Sequence, residues 1–375
     1  MNLRASAKLL TGAAVAALVA SGCSSNGSTP TMPSSTATRM AIQTHTGGGI
    51  LGQLKNQVVI GSTIDPVHGQ LNPYGLDVAK STAGAFTKGD LAVCNFNDSS
   101  NVQGTGFTIV ALHPTPGSTP TLVAADPTTL TGCNALALTP NDTIWAAAFA
   151  SNDNPEFSSS GTLITNLSGS PFNNPFGQTY AQPKHGGAAI YESNAADGSI
   201  VRINLPSLTT EVVATGFPVN GGPPGSILGP SGLQYERRHD RLYVVDGQNN
   251  SVTTIDKVSG LHAACLAVKA KAKEMSFAGR CASKARVLFS GPPLNGPISS
   301  ALFFNGTIVV GNTLDPAGQN LMIEINPGGH VQAVRNVDTG AGGALFGMVA
   351  TGTNAANTKL YFNDDNDNNL QVLER

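Results

Sequence analysis

One pattern constrains this chain more than any other. An apolar run meets a loop of Asn, Asp and Gly, and a second β-rich run usually follows. GDLAVCNFNDSSNVQGTGFTIVAL starts at Gly89, DTIWAAAFASNDN at Asp142, AAIYESNAADGSIVRINL at Ala188, DRLYVVDGQNNSVTTID at Asp240, GTIVVGNTLDPAGQNLMIEI at Gly306 and TKLYFNDDNDNNLQVL at Thr358. Each reads as a β-hairpin with a variable polar loop. Most are preceded by a Gly-containing turn and a short apolar strand, as in Asn72-Pro73-Tyr74-Gly75-Leu76, Cys133-Asn134-Ala135-Leu136, Pro230-Ser231-Gly232-Leu233, Gly296-Pro297-Ile298 and Phe346-Gly347-Met348. The third copy of this turn is placed at Gly186-Gly187. From Gly75 to Gly347 is 272 residues over five steps, or about 54 per step, near the kelch-like upper end of propeller repeat lengths.

Periodic four-stranded units with Gly turns predict an all-β, six-bladed β-propeller over residues 50–375. Runs such as Leu242 to Val245 and Ile308 to Val310 are continuously apolar, as strands covered on both faces should be. The stretch from Leu54 to Ile64 is expected to complete the last blade and close the ring, removing its open edges. Composition agrees, because charged residues are only 12% and glycines number 43; few charges and many tight turns suit short strands. The segment AVKAKAKEMSFAGR between Cys265 and Cys281 has helix-forming composition. It predicts a short helical insertion over about 261–284, on the face opposite the blade-to-blade turns. Lys269, Lys271, Lys273, Arg280, Lys284 and Arg286 make it basic, as a solvated helix would be.

The S-G-L and N-A-L-A-L turn-strands, the L-Y-V-V-D-G-Q-N-N-S-V hairpin and the closing L-Y-F-N-D-D-N-D-N-N-L resemble the NHL-repeat and gluconolactonase-like six-bladed propellers, in a secreted lipoprotein branch. The resemblance spans roughly Leu54 to Arg375. Gluconolactonase relatives hold a divalent metal with a Glu, an Asn and an Asp at the starts of inner strands. Here only Asn134 fits, since Tyr74 stands where the Glu is sought and Ser231 where the Asp is expected. Virginiamycin B lyase uses histidines with a glutamate and a metal. His185 and Glu192 share a repeat, but no second histidine stands on an adjacent blade.

In a propeller the blade-to-blade turns and the middle-hairpin loops share one face, around the channel mouth. The resulting ligand-binding candidates are Asn72, Tyr74, Asn134, Ser231 and Asn295, with Asp246, Asn312 and Asp364 further out; each also reads as a turn-capping residue. Asp364, Asp365 and Asp367 place hard oxygen ligands close together, and calcium is the cofactor they would suit. The loop lacks the Gly and distal Glu of an EF-hand, and polar hairpin loops recur in every other repeat, so a structural loop is the default. No G-x-S-x-G or H-E-x-x-H occurs. The expected function is a ligand- or protein-binding scaffold without a recognisable catalytic residue. The alternative is a metal-dependent hydrolase or lyase with a rearranged site around Asn134. Trp145 is expected to pack between blades.

Arg4 and Lys8 precede an apolar stretch from Leu9 to Ala20, the layout of a secretory signal. Residues 1–23 close on Val19-Ala20-Ser21-Gly22-Cys23, which resembles a bacterial lipobox with Ala20 in place of the usual Leu. Cys23 is the expected lipidation site and membrane anchor, and Ser24 fits sorting to the outer membrane. Residues 24–49 read as a flexible tether. Cys94, Cys133, Cys265 and Cys281 form an even set in an exported chain, which favours disulfides. Cys94–Cys133 is geometrically plausible and Cys265/Cys281 bracket the insertion, although four cysteines allow three pairings. A formal net charge of −2 without a long basic run argues against a nucleic-acid partner.

Overall fold

The computed structural model describes residues 48–271 and 274–375. The signal segment, Cys23, most of the tether and Lys273 lie outside the described residues. Six sheets follow one another around a central channel. Blade 1 runs outward from Leu71–Val78 through Leu91–Asn97 and Thr108–Leu112 to Thr121–Ala125. Blade 2 is Cys133–Leu138, Ile144–Ala148, Asp153–Phe157 and Leu163–Ser168, and blade 3 is Pro175–Ala181, Ala189–Asn194, Ser199–Asn204 and Thr210–Thr215. Blade 4 is Pro230–Glu236, Arg241–Asp246, Ser251–Asp256 and Ala285–Ser290, and blade 5 is Pro297–Leu302, Ile308–Asn312, Asn320–Ile325 and Val331–Asp338. Blade 6 takes Met348–Thr351, Lys359–Asp364 and Asn369–Glu374 from one end of the chain and Asn56–Ser62 from the other. The closing strand therefore lies where the sequence puts it. Buried Glu324 of blade 5 fixes its approach, accepting the backbone N–H groups of Ile50 (3.1 Å) and Leu51 (2.8 Å).

The middle strands are buried almost throughout because each blade is sandwiched between two others. Thr108–Leu112, Ile144–Ala148 and Ile308–Asn312 are buried at every position. Trp145 is fully buried against Phe172, Ile190 and Ile203, between blades 2 and 3.

Two expectations fail. The insertion is not helical. Leu266–Lys271 and Glu274–Ala278 form an antiparallel hairpin, with only short 3-10 turns at Val258–Gly260 and Ala282–Lys284 beside it. Instead of standing on a face, it lengthens blade 3, with Ala214 and Thr215 of the outer strand pairing in parallel with Leu266 and Ala267. Composition favoured a helix, but the burial of Leu266 and Val268 alternates with more exposed Ala267 and Lys269 in the two-residue period of a strand. An outer strand with unpaired backbone groups overrode helix propensity. Lys269 and Lys271 lie on the inner strand of the hairpin, opposite Ser276 and Glu274 of the new edge strand, and are exposed. The third inner strand also begins elsewhere: its turn is Asn174-Pro175-Phe176-Gly177, and Gly186-Gly187 lie in the loop between the first two strands of blade 3.

Both disulfides form, Cys94–Cys133 joining blades 1 and 2 and Cys265–Cys281 closing the base of the inserted hairpin; each spans 5.3 Å between Cα atoms.

Candidate functional site

Each inner strand presents three residues to the channel: Tyr74-Gly75-Leu76, Asn134-Ala135-Leu136, Phe176-Gly177-Gln178, Gly232-Leu233-Gln234, Ile298-Ser299-Ser300 and Phe346-Gly347-Met348. Small residues recur because neighbouring backbones touch here. A Cβ on Gly75 would lie 2.9 Å from Ala135 Cα, and one on Gly177 would overlap the Ser231 carbonyl. Hydrogen bonds stitch the same seam. Asn134 Nδ2 donates to the Phe176 carbonyl, Ser193 Oγ to Ser231 O (3.0 Å), Ser231 Oγ to Ile298 O (3.1 Å), Thr313 Oγ1 to Leu345 O, and Asn363 Nδ2 to Tyr74 O (3.2 Å). The Cys94–Cys133 disulfide takes that place between blades 1 and 2. Asn134 and Ser231 are thus members of a ring of inter-blade bonds.

The face carrying the blade-to-blade turns is closed. Tyr74, Phe96, Phe149, Phe176, Ile227 and Ile298 form one buried cluster there, with Phe346 and Leu314 packed against it. Tyr74 stacks between Phe96 (4.2 Å) and Phe346 (3.6 Å), and Phe149 meets Phe96 and Phe176 edge-on. The cavity along the inner strands is about 70 Å³, room for a few waters but well below the roughly 150 Å³ that admits benzene and far below the roughly 300 Å³ at which sites for drug-sized ligands begin. The plug escaped sequence reasoning. Its signal was the aromatic-Gly pair at Tyr74-Gly75, Phe176-Gly177 and Phe346-Gly347.

The polar residues of this face are committed to the turns. Asn152, Asn250 and Asn368 adopt positive φ just before a third strand. Each side chain accepts the backbone N–H of a positive-φ residue opening the next inner strand: Asn174 (2.6 Å), Gly296 (2.7 Å) and Asn72 (2.7 Å). Asn194 and Asn312 hold the turn entering their own blade. Asn194 donates to Pro171 O (2.8 Å) and accepts from Asn173 N (3.1 Å); Asn312 does the same with Pro293 O (2.9 Å) and Asn295 N (3.0 Å). Asn295 also donates to Asp315. Asp246 is buried and accepts the Asn249 N–H, leaving Oδ2 without a partner; burial pushes its pKa up to about 7. Of the ligand-binding candidates, Asn72, Tyr74, Asn134, Ser231 and Asp246 are buried and only Asn295 is partly open.

The acidic knot points three ways. Asp364 accepts from Gln371 Nε2 (2.8 Å) within blade 6, while Oδ1 is buried and unpaired; burial, with Asp338 and Asp367 nearby, raises its pKa to about 6. Asp365 faces blade 1, where the Asn72 amide, oriented by its network, donates to it (2.6 Å to Oδ2). Burial, then Asp364, raises Asp365 to about 8. Asp367 is exposed. Among the described residues no group of three His, Cys, Asp or Glu side chains is placed to hold a metal ion.

One buried polar group does border the channel. Glu192 accepts from Gln178 Nε2 (3.1 Å), which also donates to Asn154 (2.9 Å). Glu192 Oε1, Gln178 Oε1 and Asn154 Nδ2 have no partner, and burial raises the Glu192 pKa well above the usual carboxylate range. His185 lies far along the strand from this group, in the loop of the opposite face.

That opposite face, built from the first-to-second and third-to-fourth strand loops, is open. Between blades 4 and 5 a cavity of about 350 Å³ is lined by Tyr235, Arg237, Arg238, Tyr243 and Phe304 among others. Phe304 is 47% exposed. Arg241 is paired with Asp256, whereas Arg237 and Arg238 make no ion pair among the described residues.

No protein-family model and no curated protein matches the chain. Solved structures do match in fold. A gluconolactonase from Xanthomonas campestris aligns at 12% identity and TM-score 0.54, over 81% of this chain and 86% of its own. A second structure, provisionally assigned as a gluconolactonase, aligns at 12% identity and TM-score 0.54, over 85% and 91%. Virginiamycin B lyase from Staphylococcus aureus aligns at 14% identity and TM-score 0.48, over 82% and 81%. At 12% identity, the likeness to the two gluconolactonase-type structures is one of fold alone.

Proposed function

We propose that this propeller is an exported binding module, anchored to the outer membrane through Cys23, which engages a ligand or protein partner with the face opposite its blade-to-blade turns. One contrast carries the reading. The polar residues of the turn face are consumed in clamps around an aromatic plug, while the opposite face holds an aromatic cavity of about 350 Å³ flanked by two unpaired arginines. That volume lies at the lower end of small-molecule sites, and arginine with aromatic side chains is the composition enriched at protein interfaces. Two disulfides support an oxidising compartment.

Photo-crosslinking in envelope membranes tests this directly. A photoreactive residue at Phe304 is expected to trap a discrete partner that Arg237→Ala/Arg238→Ala abolishes, and one at Val102 on the turn face is expected to trap none. Equal trapping from both positions, or from neither, would sink the proposal.

A hydrolase or lyase reading draws on one observation, the buried Glu192–Gln178 pair beside the channel. Turnover of lactones or esters with added divalent ions, lost in Glu192→Gln, would favour it over the binding module.

A further inference from the structure

A second cavity, between blades 3 and 4 on the open face, has the features of a built site. It measures about 170 Å³ and is lined by Pro183, His185, Tyr191, Arg202, Leu205 and Asp240 among others. Tyr191 and Arg202 are buried, at 1% and 7% exposure. The Tyr191 hydroxyl and Arg202 Nε belong to register partners on neighbouring strands and lie close to each other, but neither makes a well-formed hydrogen bond to the other or to any other group, so both can turn to a ligand. The rest of Arg202 is committed, with Nη1 donating to Ser259 O (2.8 Å) and Nη2 to Glu211. Burial raises the Tyr191 pKa to about 12, so the hydroxyl keeps its proton and can both donate and accept.

The charges define the ligand. Arg202 is answered by Glu211, and Asp240 adds a second carboxylate whose oxygens accept from Tyr235 Oη (2.9 Å) and Ser259 Oγ (2.5 Å). An anion would meet a site already carrying more negative than positive charge, so a neutral ligand is favoured. It must offer acceptors to Tyr191 and Arg202 Nε and a donor to Asp240, while Pro183, Leu205 and the tyrosine ring give apolar walls. Hydroxyl groups on a small carbon frame meet all of these needs. An apolar cavity of about 150 Å³ admits benzene, so about 170 Å³ suits a molecule of comparable size rather than a single water. The loop over the entrance contains Gly186, at φ +103°, and exposed Lys184 and His185.

We propose that this cavity is a binding site for a small neutral polyhydroxylated molecule, of monosaccharide size or below. The site adjoins the cavity between blades 4 and 5 through the Tyr235–Asp240 hydrogen bond, but Arg237 and Arg238 line only the latter.

Saturation-transfer NMR and isothermal titration with a panel of monosaccharides and polyols test this, beside small carboxylates as comparators. At least one sugar or polyol is expected to bind saturably. Tyr191→Phe should weaken it at least tenfold with an unchanged circular dichroism spectrum, and Arg237→Ala/Arg238→Ala should leave it unaltered. Binding of carboxylates in place of polyols, binding indifferent to Tyr191→Phe, or no saturable binding would each overturn the proposal. Because the Arg237/Arg238 variant separates the two cavities, failure here and failure of the neighbouring partner surface give different results.

Discussion

The two faces of the propeller use polar residues in opposite ways. On the turn face asparagine and aspartate are abundant and almost all internal: Asn72, Asn194, Asn312 and Asp246 are buried, and most of their bonds go to backbone or neighbouring side chains. The turn face does keep unpaired oxygens, at Asp246 Oδ2 and Asp364 Oδ1, but on buried side chains away from either open-face cavity. On the opposite face the unsatisfied or unpaired groups, Tyr191, Arg202 Nε, Arg237 and Arg238, line cavities. Residue type alone does not separate the two cases. What does is whether the loop must meet a neighbouring blade. Turns converging on the channel need many backbone groups satisfied in little space, and short amides do that best.

The sharpest way to break this comparison is at the seam. Gly177→Val would drive a branched side chain into the Ser231 carbonyl of the next blade. Backbone cannot step aside as a flexible side chain can, so a loss above about 4 kcal/mol, or failure to fold, is expected by denaturant titration. A folded protein of near-native stability would show that the inner strands do not meet as tightly as argued.

The disulfides come next, because one belongs to the ring and the other to its rim. Cys94–Cys133 closes 39 residues and Cys265–Cys281 closes 16, for which chain entropy gives about 4 and about 3 kcal/mol. The Cys94→Ser/Cys133→Ser protein should lose global stability. Cys265→Ser/Cys281→Ser should chiefly speed amide exchange in the inserted hairpin. Protection lost across all six blades in the second variant would contradict a peripheral role for the insertion.

How much of this was legible follows the same division. The six-bladed ring and the closing strand can be read because they are written in periodic patterns, apolar runs and turn glycines. An even cysteine count in an exported chain points to disulfides while leaving three pairings open. The insertion misleads because its strand state depends on pairing with Ala214 and Thr215 of the preceding outer strand, which local composition does not reveal. Asn134 and Ser231 stand out in the sequence as polar residues at turn-strands, but their partners, the Phe176 and Ile298 carbonyls, lie 42 and 67 residues away, out of reach of local pattern. Tyr191 and Arg202 were invisible as a pair because the unmet bonds that mark them exist only once blades 3 and 4 are packed together.

A pH series sharpens the contrast further. Burial raises Asp246 from 3.8 to about 7 in the folded state, so between these values the folded protein holds a proton that the unfolded chain releases. Stability from this group is therefore full below about pH 4 and is lost as pH rises toward 7. At about 1.4 kcal/mol per unit, the upper bound is about 4 kcal/mol. Asp364 and Asp365, raised to about 6 and about 8, slope the same way. Asp246→Asn keeps an oxygen to accept the Asn249 N–H and cannot ionise, so it should reduce the fall in melting temperature between pH 4 and pH 8. An unchanged slope would mean that Asp246 ionises at its ordinary value and that its surroundings are wetter than the buried geometry implies.

The smallest expected effect is the most diagnostic, because it sets the two faces side by side. Asn194→Ala removes one acceptor and two donated bonds, to Pro171 O and Ser199 Oγ. It leaves buried backbone unanswered, so a cost of about 1–3 kcal/mol is expected. Arg237→Ala/Arg238→Ala removes two whole charges, yet should change stability by less than about 0.5 kcal/mol, since exposed groups without ion-pair partners contribute little to folding. If the arginine pair proves the costlier change, those side chains belong to the fold and the open face loses its claim to be the working one. If the order holds, the arginines stand free of the folding requirement that occupies Asn194, as residues available to a partner must.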